Sequence, residues 1–271
     1  MNDPDLTLEP ALEVKGLAFA YEKGSDIFHD VSFTLHRGEV MQLLGANGSG
    51  KSTLMNCLVG QLRPRQGSIR VLGDGADQLS REELARRVAY VPQLQNSTCR
   101  FTVRDYVVMG RAPYLGLLHS PGPADYDKSD QALRRMNIAH LADQRLQELS
   151  GGERQLAQIA RALVQQSPIL LFDEPTNHLD YGNQYRMLLL LHSLAKEGYA
   201  VMASTHMPDA PLLTGGQVGF FTSRGFCCGP AEELICRQRL KELYNIDVDV
   251  LYINELGRKA CFCHFPKGNR R

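Results

Sequence analysis

The chain has 271 residues, enough to bury a sizeable core in one large domain or two modest ones. Its hydrophobic fraction of 43% and charged fraction of 22% fit a globular chain and exclude a disordered or fibrous one. Thirty basic side chains balance thirty acidic ones, which excludes an overall field drawing it to nucleic acid or anionic lipid and leaves only local patches for that purpose. The opening Met1-Asn2-Asp3-Pro4-Asp5 is acidic and polar, unlike a secretory signal. No apolar run approaches the roughly 20 residues that span a bilayer.

In chain order, residues 12–20 read as a strand, and Val31-Ser32-Phe33-Thr34-Leu35 alternates like a half-buried one. Two strands in quick succession before any helix predict an antiparallel edge region attached to a parallel core. Tyr21 stands at the end of the first strand, where an aromatic ring either stacks on a base or simply packs. The apolar run Val40-Met41-Gln42-Leu43-Leu44 then leads into Gly45-Ala46-Asn47-Gly48-Ser49-Gly50-Lys51-Ser52-Thr53, and an apolar helix follows. Strand, glycine-rich turn and helix together are the context in which G-x-x-x-x-G-K-[ST] means a phosphate cradle. Glycines let backbone N–H groups turn inward around an anion, and the helix start adds partial positive charge. Lys51 is placed to reach the β- and γ-phosphates, and the Ser52 hydroxyl to ligate Mg²⁺.

Residues 68–72 form a further short strand, and Ser80 with Glu83 makes a capping box for a helix running to about Arg87. Val88-Ala89-Tyr90-Val91 is a buried-type strand with Gln93 at its exit, where parallel sheets face their ligands. From residue 95 to 166 strand patterns give way to helical spacing over 101–110 and 125–138, interrupted by a Pro- and Gly-rich loop at 112–123. This is a helical insertion in an α/β domain. It closes on Leu149-Ser150-Gly151-Gly152-Glu153-Arg154-Gln155, ahead of a helix over 156–164. A capping box explains Ser150 and Glu153. Gly151 and Gly152 remain unexplained by a cap, and they expose backbone N–H groups in a way that suits an anion.

Pro168-Ile169-Leu170-Leu171-Phe172 reads as a central parallel strand ending in the adjacent carboxylates Asp173 and Glu174. Asp173 suits Mg²⁺ through its water shell, and Glu174 suits a base for an attacking water. A helix over 181–196 and a buried strand over 200–204 follow, with His206 at the strand exit on the same sheet edge as Lys51, Gln93 and Glu174. Residues 248–253 and 259–264 form a final hairpin with no evident task. Seven cysteines without a C-x-x-C pair are expected to be reduced thiols. Cys261-Phe262-Cys263-His264 is rejected as a metal site, because alternation sets His264 on the opposite face and no second ligand pair is spaced for zinc.

Taken together, these motifs resemble the ATP-binding subunits of ABC transporters over residues 12–243. The resemblance implies a P-loop NTPase core of mainly parallel sheet at 12–94 and 166–243, a helical subdomain at 95–165, and a C-terminal extension at 244–271. It also implies a head-to-tail homodimer with two ATP molecules and Mg²⁺ at its interface. Tyr21 then matches the base-stacking aromatic, and Ser150, Gly151, Gly152 and Glu153 match the signature that completes the partner's site in trans. Glu174 matches the residue that polarises water, and His206 the one that contacts the γ-phosphate. Gln93 matches the residue that touches Mg²⁺ or the water, and Asp180 the one that links the two sites.

Residues 101–111 and Pro113-Tyr114-Leu115-Gly116 resemble the importers of iron–siderophore, haem, cobalamin and molybdate. Thr205-His206-Met207-Pro208-Asp209 departs from the His-Asp-Leu usual in siderophore members and is more like the molybdate type. Such a subunit is cytoplasmic and peripheral on the inner face of the membrane, beneath a separate permease and, indirectly, a substrate-binding protein. A soluble ABC ATPase of translation or DNA repair is the competing expectation. Tandem cassettes or long coiled-coil insertions usually mark that group, and excess Lys and Arg would serve its nucleic-acid partner. This chain shows neither. A regulator that only binds ATP is disfavoured by the intact Glu174 and His206.

Overall fold

The computed structural model describes residues 10–21, 24–93, 100–116, 119–177, 179–222 and 225–263. The acidic N-terminal stretch, His178 and His264 lie outside the described residues. Three strands precede the first helix: β1 (Pro10–Phe19), β2 (Phe28–His36) and β3 (Val40–Gly45). In β2 the alternation is visible directly, with Val31, Phe33 and Leu35 buried and Ser32 exposed between them. Next come α1 (Lys51–Leu58), β4 (Gln66–Val71), β5 (Asp74–Gly75), α2 (Arg81–Arg87) and β6 (Val88–Val91). Ser80 and Glu83 cap α2 with the expected reciprocal bonds.

The helical stretch holds α3 (Val103–Val108), α4 (Pro123–Arg135) and α5 (Gly151–Val164), joined by short 3-10 turns. Gly110 lets this layer close on α5, since a methyl group there would overlap the Arg161 carbonyl oxygen. The chain continues through β7 (Ile169–Phe172), α6 (Tyr181–Lys196), β8 (Ala200–Thr205) and α7 (Ala210–Thr214). It ends with β9 (Gln217–Thr222), β10 (Gly225–Pro230), α8 (Ala231–Leu234), α9 (Arg237–Tyr244) and the hairpin β11 (Val248–Ile253) to β12 (Arg258–Cys263). Among the described residues, no helix is long and apolar enough to cross a membrane.

The strands make two main sheets. One is antiparallel in the order β2-β1-β4-β5, and the other runs β10-β9-β3-β8-β7-β6. Within the second, β9, β3, β8, β7 and β6 are mutually parallel and β10 adds an antiparallel edge. The antiparallel N-terminal region that the strand spacing predicts is therefore a sheet of its own, attached to the parallel core. The reason is that both flanks of β3 are taken by β8 and β9, so β2 has no ladder to join there. The antiparallel edge comes instead from β10. The last helix of the insertion also starts earlier than the apolar spacing indicated, because Ser150 caps it and Gly151 is already helical.

Side-chain alternation divides the core between the two faces of the parallel sheet. Ile169, Leu171, Ala200 and Met202 face the antiparallel sheet, packing with Leu12, Val14, Leu17, Phe33 and the α1 residues Leu54 and Leu58. Leu170, Phe172, Val201 and Ala203 face the other way, onto Ala157, Ile159 and Ala160 of α5 and Leu188, Leu191 and Leu194 of α6. Strands buried on both faces read as near-continuous apolar runs, as β7 does throughout and β8 does over its first four residues. A third cluster joins Leu44, Val218 and Phe220 to Leu240 of α9 and Val248 of the hairpin.

Candidate nucleotide and catalytic site

Parallel pairing fixes which side chains meet. Val91 is in register with Phe172, Phe172 with Ala203, and Leu44 with Thr205. The residues that follow each of these leave the sheet at one carboxyl edge, the place where open α/β sheets hold ligands. Gln93, Asp173, Glu174, His206 and the loop 45–53 are thereby gathered from four strands. Gln93, Glu174, His206 and all of the loop but Ser49 line an open cleft of about 890 Å³ together with Tyr21, Asn177 and Tyr244, while Asp173 is buried and does not line it.

The loop itself is shaped by Gly48 and Gly50, whose φ angles of 78° and 103° are in the left-handed region that favours glycine. Gly48 has open space on the side where a Cβ would sit, so its backbone is accessible. Lys51 is buried, and its ammonium donates to the Gly45 carbonyl oxygen at 2.7 Å and to that of Ala46 at 3.1 Å. Burial pulls the Lys51 pKa below its ordinary value, while Glu174 and Asp173 push it back up. Ser52 is exposed at the head of α1. Ser49 Oγ is buried without a hydrogen-bond partner among the described residues, a donor available to an anion in the loop. Tyr21 is 52% exposed, sets its ring edge against Phe19 at 5.0 Å, and brings its hydroxyl to 3.4 Å from Thr53 Oγ1.

The two carboxylates are held in different ways. Asp173 is buried, accepting from Ser204 Oγ at 2.6 Å and from the Tyr90 hydroxyl at 3.2 Å. Glu174 sits at φ 50°, a costly conformation for a non-glycine residue, and its N–H donates to the same Ser204 Oγ at 2.7 Å. Its carboxylate accepts from Asn177 Nδ2 and from Gln93 Nε2 at 3.3 Å, and lies 4.0 Å from Lys51 Nζ. His206 has an exposed side chain on the cleft wall. The arrangement can bind a polyphosphate along the loop, neutralise it, and offer a carboxylate base at its end.

Ser150, Gly151, Gly152, Glu153 and Asp180 do not line this cleft. Ser150 and Glu153 form the expected capping box, with Ser150 N donating to Glu153 Oε2 at 2.8 Å. Those bonds from Ser150 hold the Glu153 carboxyl below the usual range. Asp180 caps α6, accepting from Asn183 N at 2.8 Å and from its side chain at 2.7 Å. Gly152 lies beside Leu179, so the two segments share one surface.

Four participants went unmarked in the sequence reading: Ser204, Tyr90, Asn177 and Tyr244. For Ser204 and Tyr90 a signal existed, since each places a hydroxyl inside an otherwise apolar buried strand. Asn177 and Tyr244 had none.

The Ser204 hydroxyl serves both carboxylate residues at once, so Ser204→Ala leaves a buried oxygen and an N–H short of a partner. Each such loss costs about 1–3 kcal/mol. Thermal unfolding should show a midpoint lower by roughly 3–8 °C. An unchanged midpoint would contradict this bonding scheme.

Comparison with known proteins places the chain. The family model described as ABC transporter matches residues 28–177. An uncharacterized ABC transporter ATP-binding protein of Haemophilus influenzae is 39% identical over 242 residues, covering 89% of this chain and 92% of its own. The molybdate import ATP-binding protein MolC of the same organism is 33% identical, covering 88% and 90%. Among solved structures, a metal-chelate type ABC transporter in an inward-facing conformation superposes with a TM-score of 0.83 at 31% identity, covering 95% of this chain and 98% of that one. The chain belongs to the ABC transporter family as an ATP-binding subunit, an ATPase acting on ATP with Mg²⁺.

Proposed function

We propose that the chain powers an ABC importer from beneath a separate permease, as a head-to-tail pair of copies, for a cargo in the molybdate and metal-chelate class that includes iron chelates, haem and cobalamin. One observation carries the paired arrangement. The cleft holds Lys51, Glu174, Gln93 and His206 but not the signature start, which is exposed elsewhere beside the Leu179–Asp180 segment. A second copy turned head to tail would bring its own Ser150, Gly151, Gly152 and Glu153 over the open side of the cleft, with Asp180 at the shared seam. The likeness to a molybdate import subunit and to a metal-chelate transporter supports the cargo class. In this reading residues 12–94 and 166–243 form the catalytic core, 95–165 the permease-facing helical unit, and 244–271 an extension.

The donor set fits magnesium. The exposed Ser52 hydroxyl and Gln93 line the cleft, and Asp173 supplies one buried carboxylate next to Glu174 in the chain. Among the described residues no three His, Cys, Asp or Glu side chains converge into a metal cage. Mg²⁺ characteristically takes one or two protein ligands and completes its shell with phosphates and water. Bound there, it would neutralise charge across the phosphates.

The chain's own residues do the rest. The loop N–H groups and Lys51 hold the β- and γ-phosphates, and Tyr21 offers its exposed face to the base. Glu174 accepts the proton of the attacking water, its carboxylate kept in place by Asn177 and Gln93. His206 contacts the γ-phosphate and senses its loss.

Glu174→Gln should retain ATP affinity, lower turnover at least about 100-fold, and accumulate an ATP-bound dimer in sedimentation. Undiminished hydrolysis would remove Glu174 from the role of base. The importer reading is tested by reconstituting the chain with its permease and measuring ATPase stimulation by binding proteins loaded with molybdate, iron chelate, haem or cobalamin. Stimulation by one of these is expected; stimulation by none would sink the importer assignment.

A further inference from the structure

The C-terminal segment has no task in the scheme above, yet it touches the site directly. Helix α9 and the hairpin are anchored through Leu240 and Val248, which pack on Leu44 and Phe220 at the ends of β3 and β9. From that platform two hydrogen bonds reach the short loop after β8. The Tyr244 hydroxyl donates to the main-chain carbonyl of His206 at 2.8 Å, and Cys261 N donates to Asp209 Oδ1 at 2.9 Å. A third bond, from Met207 N to Thr205 Oγ1 at 3.0 Å, folds the loop on itself.

These bonds take hold of the one residue of that loop whose side chain faces the cleft. His206 is exposed, so little packing fixes its imidazole, and its position follows its backbone. Tyr244 is well suited to hold that backbone. It is the last residue of α9, and the left-handed Asn245 (φ 54°) ends the helix immediately after it. Its hydroxyl is half-buried at the cleft wall, where burial pushes its pKa above the ordinary phenol value and keeps it a donor. Leu243, Tyr244, Val250 and Cys261 also pack against that cluster, whereas the hydrogen bonds from the Tyr244 hydroxyl and Cys261 N to 206 and 209 lead out of it toward the chemistry.

We propose that Tyr244 is a positioning residue for His206, and that the α9–β12 segment, tied to residues 206 and 209, sets where the imidazole meets the γ-phosphate. The inference rests on the reading of His206 as the γ-phosphate contact. It makes the C-terminal extension part of the hydrolytic switch: anything that loosens α9 or the hairpin would slow turnover without weakening nucleotide binding.

The test is Tyr244→Phe in the full chain, which keeps the ring and removes the donor. A backbone shift at a residue that aligns the reacting group lowers kcat, here by about tenfold, with the KM for ATP held within about twofold. In a His206→Ala background the same substitution should add nothing further, because both changes act through one group. Asp209→Ala should reproduce the kcat loss, and it carries the test if Tyr244→Phe does not fold. Asp209→Asn, whose amide oxygen still accepts from Cys261 N, should restore kcat to near wild type. Wild-type kcat in Tyr244→Phe, or full additivity with His206→Ala, overturns the proposal. His206→Ala alone, assayed in parallel, separates the two levels. Unimpaired hydrolysis there would sink the underlying reading of His206, whereas an impaired His206→Ala beside an unaffected Tyr244→Phe sinks only this inference.

Discussion

Burying an ammonium is costly, and the site is arranged around how that cost is offset. Lys51 gives its protons to two carbonyls of its own loop and faces Glu174 across 4.0 Å. Glu174 can stand there only because its strained backbone is tied through Ser204 to Asp173 on the same strand end. The Ser204 hydroxyl is thus the junction between β7 and β8, and the parallel register that aligns Phe172 with Ala203 is what brings it into reach. A change of register by one residue would turn the hydroxyl to the opposite face. The chemistry therefore depends on the sheet as a whole, and on the continuous apolar burial that keeps β7 and β8 in place.

Much of this was legible in the residues. The strand, the loop 45–53 and the helix after it could be read together, since each requires the next to make sense. The apolar run before Asp173 and Glu174 signalled a strand buried on both faces, and β7 is that strand. What could not be read was pairing. Nothing in the composition of β1 and β2 says that β3 spends both its edges on β8 and β9, because partner choice is non-local. For α5 the two sequence signals differed, since apolar spacing begins at Leu156 whereas the capping box begins at Ser150, and helix geometry follows the cap. Ser204 and Tyr90 carried a faint signal as hydroxyls in apolar strands. Tyr244 carried none, since a Tyr at the end of an amphipathic helix looks like any other until the loop after β8 is seen beside it.

The same geometry explains why the cleft is open. Its walls are complete on the side of the phosphate loop and of the two carboxylates, while the two-glycine helix start and the Asp180 segment share a separate exposed surface. In the proposed pairing each copy would supply one half to each of two sites. Coupling to transport would then follow from this division, with closure on ATP an event between copies that hydrolysis undoes.

Mixing two inactive variants tests that claim most directly. Lys51→Ala removes the phosphate contact from one copy, and Ser150→Arg blocks the signature of the other. If the sites are shared between copies, random exchange gives mixed dimers with one intact site each, and the mixture should recover about a quarter of wild-type ATPase activity. If each copy completes its own site, every site in the mixture is defective. Activity remaining at the level of the separate variants would contradict the account.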